Sequence, residues 1–135
     1  LGDVYKRQQR GWTSVGDTLT WLKLGIQASC ERWGVPSASA ASFANAATLG
    51  SNPMEAIAMA KWTDMFLQGY EAWTEWRRLD YPVLSPPAAA ITGTGVPVRN
   101  GYGGLVPTQN KASYDAAVAA QGPDNQDTKL WWDTK

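Results

Sequence analysis

Apolar residues recur at helical spacing early in the chain and predict a first main helix from Asp17 to Trp33. Asp17 or Thr18 caps the start of this helix, and the Gly-Val-Pro sequence at 34–36 predicts its end. One face of the helix carries Leu22, Ile26 and Trp33. A second apolar strip runs beside that face, so we expect the helix to lie between neighbouring helices rather than on a surface.

The strongest helical pattern runs without interruption over 52–79 and predicts one long helix. Asn52 is a good N-cap, Pro53 suits the first helical position, and Glu55 at the third position completes a start that resembles a capping box. The Tyr-Pro sequence that follows excludes helical geometry for its first residue, so we expect the helix to end near Asp80. The apolar side of the helix carries Met54, Ala58, Trp62, Met65, Gly69, Trp73 and Trp76.

The segment between these two helices, 37–50, predicts a loop with one helical turn. It is rich in Ala and Ser, and only Phe43 and Leu49 are large enough to anchor it. Since a short connection favours antiparallel neighbours, we predict that the two main helices pack against each other. The predicted contact residues are Trp62, Met65, Gly69 and Trp73 on the long helix and Leu22, Ile26 and Trp33 on the first helix.

The pattern changes after residue 80. Pro and Gly punctuate 81–109, which predicts irregular structure, and Asn100-Gly101 favours the tight turn of a short hairpin. A short helix is predicted over 110–120, and the tail is predicted to be a closing strand or a packed extended end. The residues that this short helix turns inward are Tyr114, Ala117 and Val118. The predicted fold class is therefore mainly α, with Pro/Gly-rich loops and one short hairpin.

Composition excludes several classes of function. The 135 residues include 12 Lys plus Arg and 12 Asp plus Glu, so the net charge is zero, and no basic cluster is present to bind nucleic acid or an anionic membrane. The chain has no His, which removes His-based catalytic and metal sites. Cys30 is the only Cys, so the chain forms no internal disulfide. No apolar run approaches the roughly 18 residues of a membrane span.

Aromatic and acidic residues are the remaining candidates for chemistry. Most of the 8 Trp are predicted to belong to the core. Glu71 and Glu75 are the residue types of a glycosidase pair, but at i, i+4 on one helix they do not flank a sugar from opposite sides. We therefore predict no catalytic residue, metal or cofactor. The candidate ligand contacts are Trp12, Arg99 and Tyr102 in loops, because an aromatic face stacks on a sugar ring and a guanidinium donates hydrogen bonds to hydroxyls.

Three separated motifs occur in the order found in one known family. The first motif is Gly25–Val35, which ends in Trp-Gly-Val. The second motif, at 57–86, contains five short sequences in this order: Lys-Trp, Gln-Gly, Glu-Ala-Trp, Trp-Arg-Arg and Tyr-Pro. Trp-Trp-Asp follows at 131–133. Over 11–135 the chain resembles the SusD/RagB-type nutrient-binding lipoproteins of the outer membrane. It departs from their pattern in two places. The stretch Ser37–Asn52 is shorter than the family's, and the region 97–99 carries one Arg, Arg99, where the family often has two.

The resemblance implies a helical protein, built around tetratricopeptide-like helix pairs, that is longer than this chain. Residues 11–135 are then the C-terminal portion of a single domain whose N-terminal portion is missing, and 1–10 are expected to be a non-native or disordered start. We expect these residues alone to be neither fully stable nor a competent binder. In the family, the missing portion also carries the lipid anchor that attaches the protein to the outer membrane at the cell surface.

The function implied by the resemblance is binding of oligosaccharides or other nutrients and their delivery to a SusC-like TonB-dependent transporter. Such proteins are binders and not enzymes. Two other classes remain as alternatives: a helical protein–protein interaction scaffold without glycan binding, and a fragment of a carbohydrate-active enzyme. The absence of His and of opposed carboxylates counts against the second alternative.

Overall fold

Six helices form in the residues that the computed structural model describes, 16–90 and 95–133. They are α1 (Thr18–Arg32), α2 (Ser37–Asn45), α3 (Pro53–Asp64), α4 (Gly69–Leu79), α5 (Val106–Gln109) and α6 (Lys111–Gln121). The chain divides into two compact units between Pro82 and Val83, so that α1–α4 belong to the first and α5 and α6 to the second. No strand forms in either described range. The mainly helical fold class predicted from the sequence is therefore confirmed.

The first helix forms where its caps predict. The Asp17 carboxylate accepts a hydrogen bond of 2.8 Å from the backbone N–H of Thr20, which satisfies one of the free donors at the helix start. At the other end, Gly34 adopts a positive φ of 85° and the N–H of Val35 donates back to the carbonyl of Cys30 at 3.0 Å. Glycine takes this left-handed conformation without steric cost, so the chain turns sharply after α1.

The segment 37–50 contains a nine-residue helix, α2, and not the loop with a single turn that we predicted. Its anchors are small: Ala40 and Ala44 are buried against its neighbours, whereas Phe43 is 67% exposed. Alanine has the highest helix propensity, and its small side chain allows a helix to approach its neighbour closely. The prediction was wrong because it looked for large apolar side chains.

The predicted long helix is two helices, α3 and α4, that are separated at residues 65–68. Leu67 adopts a left-handed φ of 68°, and α4 restarts at Gly69. On one continuous helix Lys61 and Glu75 would lie about 21 Å apart. Their side chains instead form an ion pair of 2.9 Å, so α4 folds back on α3 as a helical hairpin.

Both predicted ends of that helical region are confirmed. The side-chain oxygen of Asn52 accepts a hydrogen bond of 3.4 Å from the N–H of Glu55, and Pro53 occupies the first helical position. At the other end, Asp80 terminates α4 in the left-handed conformation. Asn52 also donates a hydrogen bond of 2.8 Å to the hydroxyl of Tyr81, which joins the start of α3 to the residue that follows α4.

The core of the first unit lies between α1 and α3, where Leu22 and Ile57 are buried together. Partly buried residues around them are Leu19, Ile26, Leu49, Met54, Ala56 and Ala60. The two helices therefore pack as predicted, but the core residue of α3 is Ile57, and Trp62 is not among the residues packed around it. Gly69 and Trp73 belong to α4, which packs against α3 rather than α1. Trp33 is exposed and lies near Phe66, with ring centroids 6.1 Å apart.

The second unit is α6 with the short α5 and two irregular segments. The hairpin predicted at Asn100-Gly101 does not form: the N–H of Val98 pairs with the carbonyl of Gln126 at 2.9 Å instead. Pro97 has no N–H to contribute to a strand ladder, which explains why the turn signal is overridden. The predicted inward residues of α6 are half-buried. The described part of the tail is a turn and not a closing strand, and Trp131 is exposed.

Candidate functional site

Two of the three predicted ligand contacts, Arg99 and Tyr102, lie in one loop of the second unit. Trp12 lies outside the described residues. Arg99 is only 5% exposed, although arginine is almost never buried without a partner. Its Nη2 lies 3.4 Å from Oδ1 of Asp124, and its Nε donates a hydrogen bond of 3.2 Å to the carbonyl of Asn100. The guanidinium is thus fixed by a carboxylate and by its own loop.

Tyr102 is 37% exposed as a residue, and its ring has three side-chain neighbours. The guanidinium carbon of Arg99 lies 5.3 Å from the ring centroid. The ring of Tyr114, on α6, meets it edge to face with centroids 5.7 Å apart, a preferred geometry for aromatic pairs. Gln121, at the end of α6, donates a hydrogen bond of 3.2 Å to the Tyr102 hydroxyl. These contacts hold the ring in place while leaving Tyr102 partly exposed.

Asp124 connects this loop to the turn at 123–128. Besides Arg99, its Oδ1 accepts a hydrogen bond of 3.0 Å from the backbone N–H of Tyr102. The same oxygen would lie 3.3 Å from a Cβ built on Gly101, so the backbone passes the carboxylate closely. A side chain at position 101 would compete with Asp124 for this space.

The turn at 123–128 is organised by its own polar side chains. Asn125 Oδ1 accepts hydrogen bonds from the N–H groups of Asp127 at 3.1 Å and Thr128 at 2.8 Å. The Thr128 hydroxyl lies 2.7 Å from the carbonyl of Pro123, to which it donates. Such short side-chain bonds to neighbouring backbone groups stabilise turns locally. The turn therefore presents Asp124 to the loop without depending on the Asp124 side chain.

The electrostatic environment of the site is dominated by the Arg99–Asp124 pair. Partial burial, and then the negative charge of Asp124 and a hydrogen bond to it, raise the pKa of Tyr114 above its ordinary value of 10.0. Tyr114 therefore remains a neutral phenol at physiological pH. The Arg99 guanidinium is paired with Asp124, so the charged group beside Tyr102 is neutralised by its partner.

Sequence reasoning missed three residues of this cluster: Asp124, Tyr114 and Gln121. Tyr114 was predicted to turn inward from its helix, but not to meet Tyr102. The seven-residue spacing of Tyr114 and Gln121 places both on one helical face, which is the only local signal that relates them. No spacing rule relates Asp124 to Arg99.

Among the described residues of the first unit, two of the surface cavities serve as comparisons. One, of about 260 Å³, lies among α1, α2 and α3 and is lined mainly by apolar side chains such as Ile26, Phe43 and Met59. The other, of about 250 Å³, is lined by polar groups around Ser51 and Asn52 and has no aromatic ring. The first cavity is mainly apolar and the second has no aromatic ring, whereas Tyr102 is held by side-chain contacts next to polar groups.

The other sequence candidates have structural partners. Glu75 pairs with Lys61 at 2.9 Å and with Arg78, as expected for a charge-paired carboxylate, and Glu71 is exposed on the same helix. Among residues 16–90 and 95–133, no group of three Cys, Asp or Glu is placed to hold a metal ion. Within the same ranges, no helix has the length and apolar character needed to cross a membrane.

Comparisons with known proteins agree on one family. A family model for SusD-like proteins, described as "Starch-binding associating with outer membrane", matches residues 6–103. A solved chitin-binding protein is 29% identical, with a TM-score of 0.81 over 96% of this chain and 31% of its own. A protein described as "Bacteroidetes AC2a SusD-like" is 27% identical, with a TM-score of 0.81 over 96% of this chain and 28% of its own. The chain thus spans about a third of the length of the structures that it matches. A search of curated proteins found no match.

Proposed function

We propose that this chain, which belongs to the SusD-like family of starch-binding proteins that associate with the outer membrane, takes part in binding oligosaccharides or other nutrients at the cell surface. The observation that carries the proposal is Tyr102, a residue that is 37% exposed and whose ring is held in place by three neighbouring side chains. Family membership supports a glycan as the ligand; the family description points to starch, and the name of one solved relative points to chitin.

The chemistry of the Tyr102 loop suits a sugar. The C–H face of a pyranose ring is apolar and stacks on an aromatic face without a charged partner. A ring that is already fixed loses little conformational freedom when the ligand binds, which preserves binding energy. Arg99 and Trp12 remain part of the proposal. The burial of Arg99 supports a role in holding the Tyr102 ring, with any contact to ligand hydroxyls made at the loop edge.

The cellular role follows from the family. We propose that the protein delivers the bound ligand to a SusC-like TonB-dependent transporter. We also propose that a lipid anchor outside these residues attaches the protein to the outer membrane. No reaction is proposed, since Glu71 and Glu75 lie on one helix and Glu75 is paired with Lys61 and Arg78.

The proposal is tested by calorimetry on the gene product that carries these residues. Malto-oligosaccharides and chito-oligosaccharides are titrated separately, because the family description and the relative's name point to different sugars. Tyr102→Ala is expected to weaken binding of the preferred sugar about tenfold, the change that corresponds to the loss of about one stacking contact. The matched control is Tyr70→Ala, since Tyr70 is an exposed tyrosine in the first unit.

Two results would count against the proposal. Absence of binding to both sugars would favour the alternative of a helical protein–protein scaffold. Equal effects of the Tyr102 and Tyr70 substitutions would mean that the sugar binds at a surface other than the Tyr102 loop.

A further inference from the structure

We propose that Asp124 is a positioning residue that sets the orientation in which Tyr102 meets a glycan, an inference that rests on the proposed function. A single carboxylate oxygen, Oδ1, serves both ends of the loop. It lies 3.4 Å from Nη2 of Arg99 and accepts a hydrogen bond of 3.0 Å from the backbone N–H of Tyr102. The Asp124 side chain is only 12% exposed, so water does not readily replace it.

The position of the Tyr102 ring depends on both of these contacts. The hydrogen bond from the Tyr102 N–H fixes the backbone to which the ring is attached. The ion pair fixes Arg99, whose guanidinium lies against the same ring. Without the carboxylate, Arg99 would be a buried cation lacking its counter-charge, and such a group moves toward water or forces its surroundings to rearrange. The loop, and the ring with it, would leave the edge-to-face position on Tyr114.

A purely structural role for Asp124 is disfavoured by the internal bonding of its turn. The hydrogen bonds that close residues 123–128 are made by Asn125 and Thr128 and involve no atom of the Asp124 side chain. Removal of the Asp124 carboxylate therefore releases the Tyr102 loop while the turn keeps its own bonds. This separation makes the role of Asp124 measurable.

The test uses the gene product that carries these residues, labelled at tyrosine, and compares Asp124→Ala with Asp124→Asn. The first readout needs no ligand: nuclear Overhauser contacts between the rings of Tyr102 and Tyr114. Asp124→Ala is expected to abolish them, whereas Asp124→Asn keeps an acceptor for the Tyr102 N–H and is expected to retain them in part. The control is Asp127→Asn, which removes the other carboxylate of the same turn and is expected to leave the ring contacts intact.

A second pair of variants keeps the carboxylate and changes only the space around it. Gly101→Ala places a methyl group 3.3 Å from Oδ1 of Asp124, whereas a methyl group at Gly104 meets nothing within 4 Å. Gly101→Ala is expected to weaken the ring contacts and Gly104→Ala to preserve them. This pair decides the question if Asp124→Ala does not fold.

The second readout is affinity for the preferred oligosaccharide, which is expected to fall about tenfold in Asp124→Ala and less in Asp124→Asn. If the ring contacts are unchanged in both Asp124→Ala and Gly101→Ala, the positioning role is overturned. It is also overturned if the ring contacts are lost but the affinity for the oligosaccharide is unchanged. If the wild-type protein binds no sugar, the proposed function fails. The ring contacts alone then decide whether Asp124 holds the rings of Tyr102 and Tyr114 together.

Discussion

The indole Nε1 of Trp76 donates a hydrogen bond of 3.1 Å to the carbonyl oxygen of Pro82. Trp76 is buried near the end of α4, and Pro82 is the last residue of the first unit. The bond therefore ties the helix to the turn that follows it and gives a partner to a donor that burial would otherwise leave unsatisfied.

Trp76 is expected to contribute more to stability than Trp73, although both lie on the apolar side of the predicted long helix. Trp76→Ala should cost about 3–5 kcal/mol of unfolding free energy, and Trp76→Phe about 1 kcal/mol or more through loss of the hydrogen bond. Trp73→Ala should cost less, because Trp73 is only partly buried and its ring faces the guanidinium of Arg77 at 3.8 Å. Denaturant unfolding of the three variants checks the order, and a larger cost for Trp73→Ala would contradict it.

Ser29 and Arg32 both contact Asp64 across the α1–α3 interface, but they should differ in their contribution to stability. The Ser29 hydroxyl donates a partly buried hydrogen bond of 2.6 Å, so Ser29→Ala should cost about 1–2 kcal/mol. The Arg32 side chain is half exposed, so Arg32→Ala should cost less than about 1 kcal/mol. Repeating the unfolding measurement at high salt should reduce the Arg32 effect and leave the Ser29 effect nearly unchanged. Equal salt sensitivity of the two variants would refute this ranking.

The contribution of Glu75 to the stability of the first unit should decrease at acidic pH. Burial alone would raise the pKa of Glu75, but hydrogen bonds and charge from Arg78 and Lys61 outweigh it and hold the pKa below its ordinary 4.5. Folding thus favours the ionised form of Glu75. Its contribution to the unfolding free energy is complete above pH 4.5 and is lost as the pH falls through the lowered pKa of the folded state. The difference in unfolding free energy between wild type and Glu75→Gln should therefore shrink as the pH drops below 4.5. A difference that stays constant down to pH 3, or grows, would exclude this linkage.

Leu67 is a site where glycine should stabilise the protein. Its φ of 68° is costly for a residue with a Cβ, and its side chain is 80% exposed, so little packing is lost on truncation. Leu67→Gly should be more stable than Leu67→Ala by about 1 kcal/mol. The neighbouring Gln68 has an ordinary φ of −111°, so Gln68→Gly should instead be destabilising by about 0.5–1 kcal/mol. Thermal unfolding measures the stability of each variant. If Leu67→Gly is no more stable than Leu67→Ala, the backbone is not strained at position 67.

Local signals account for what the sequence predicted correctly. The caps at Asp17 and Asn52 set the starts of α1 and α3 because each acts on the backbone of its own first turn. The break between α3 and α4 was missed because a four-residue connection preserves the apolar spacing of a continuous helix. Gly69, placed in the apolar stripe, was in fact the first residue of a new helix.

Non-local contacts account for what the sequence did not reveal about the candidate site. Arg99 and Asp124 are 25 positions apart, and neither periodicity nor turn propensity relates residues at that separation. The composition of 123–128 predicts a turn, but the direction of the Asp124 carboxylate follows from how that turn packs on the Tyr102 loop. The choice of Arg99 and Tyr102 as ligand contacts stays a prediction, since it came from their loop positions alone.

In the proposed function, a sugar ring stacks on Tyr102. This stacking is tested most directly by recording the ring proton resonances of labelled tyrosines in the gene product while the preferred malto- or chito-oligosaccharide is added. We expect saturable shifts of the Tyr102 ring resonances, smaller shifts of its neighbour Tyr114 and no shift of the exposed Tyr70. Saturable binding that leaves the Tyr102 resonances unmoved would contradict the proposed stacking.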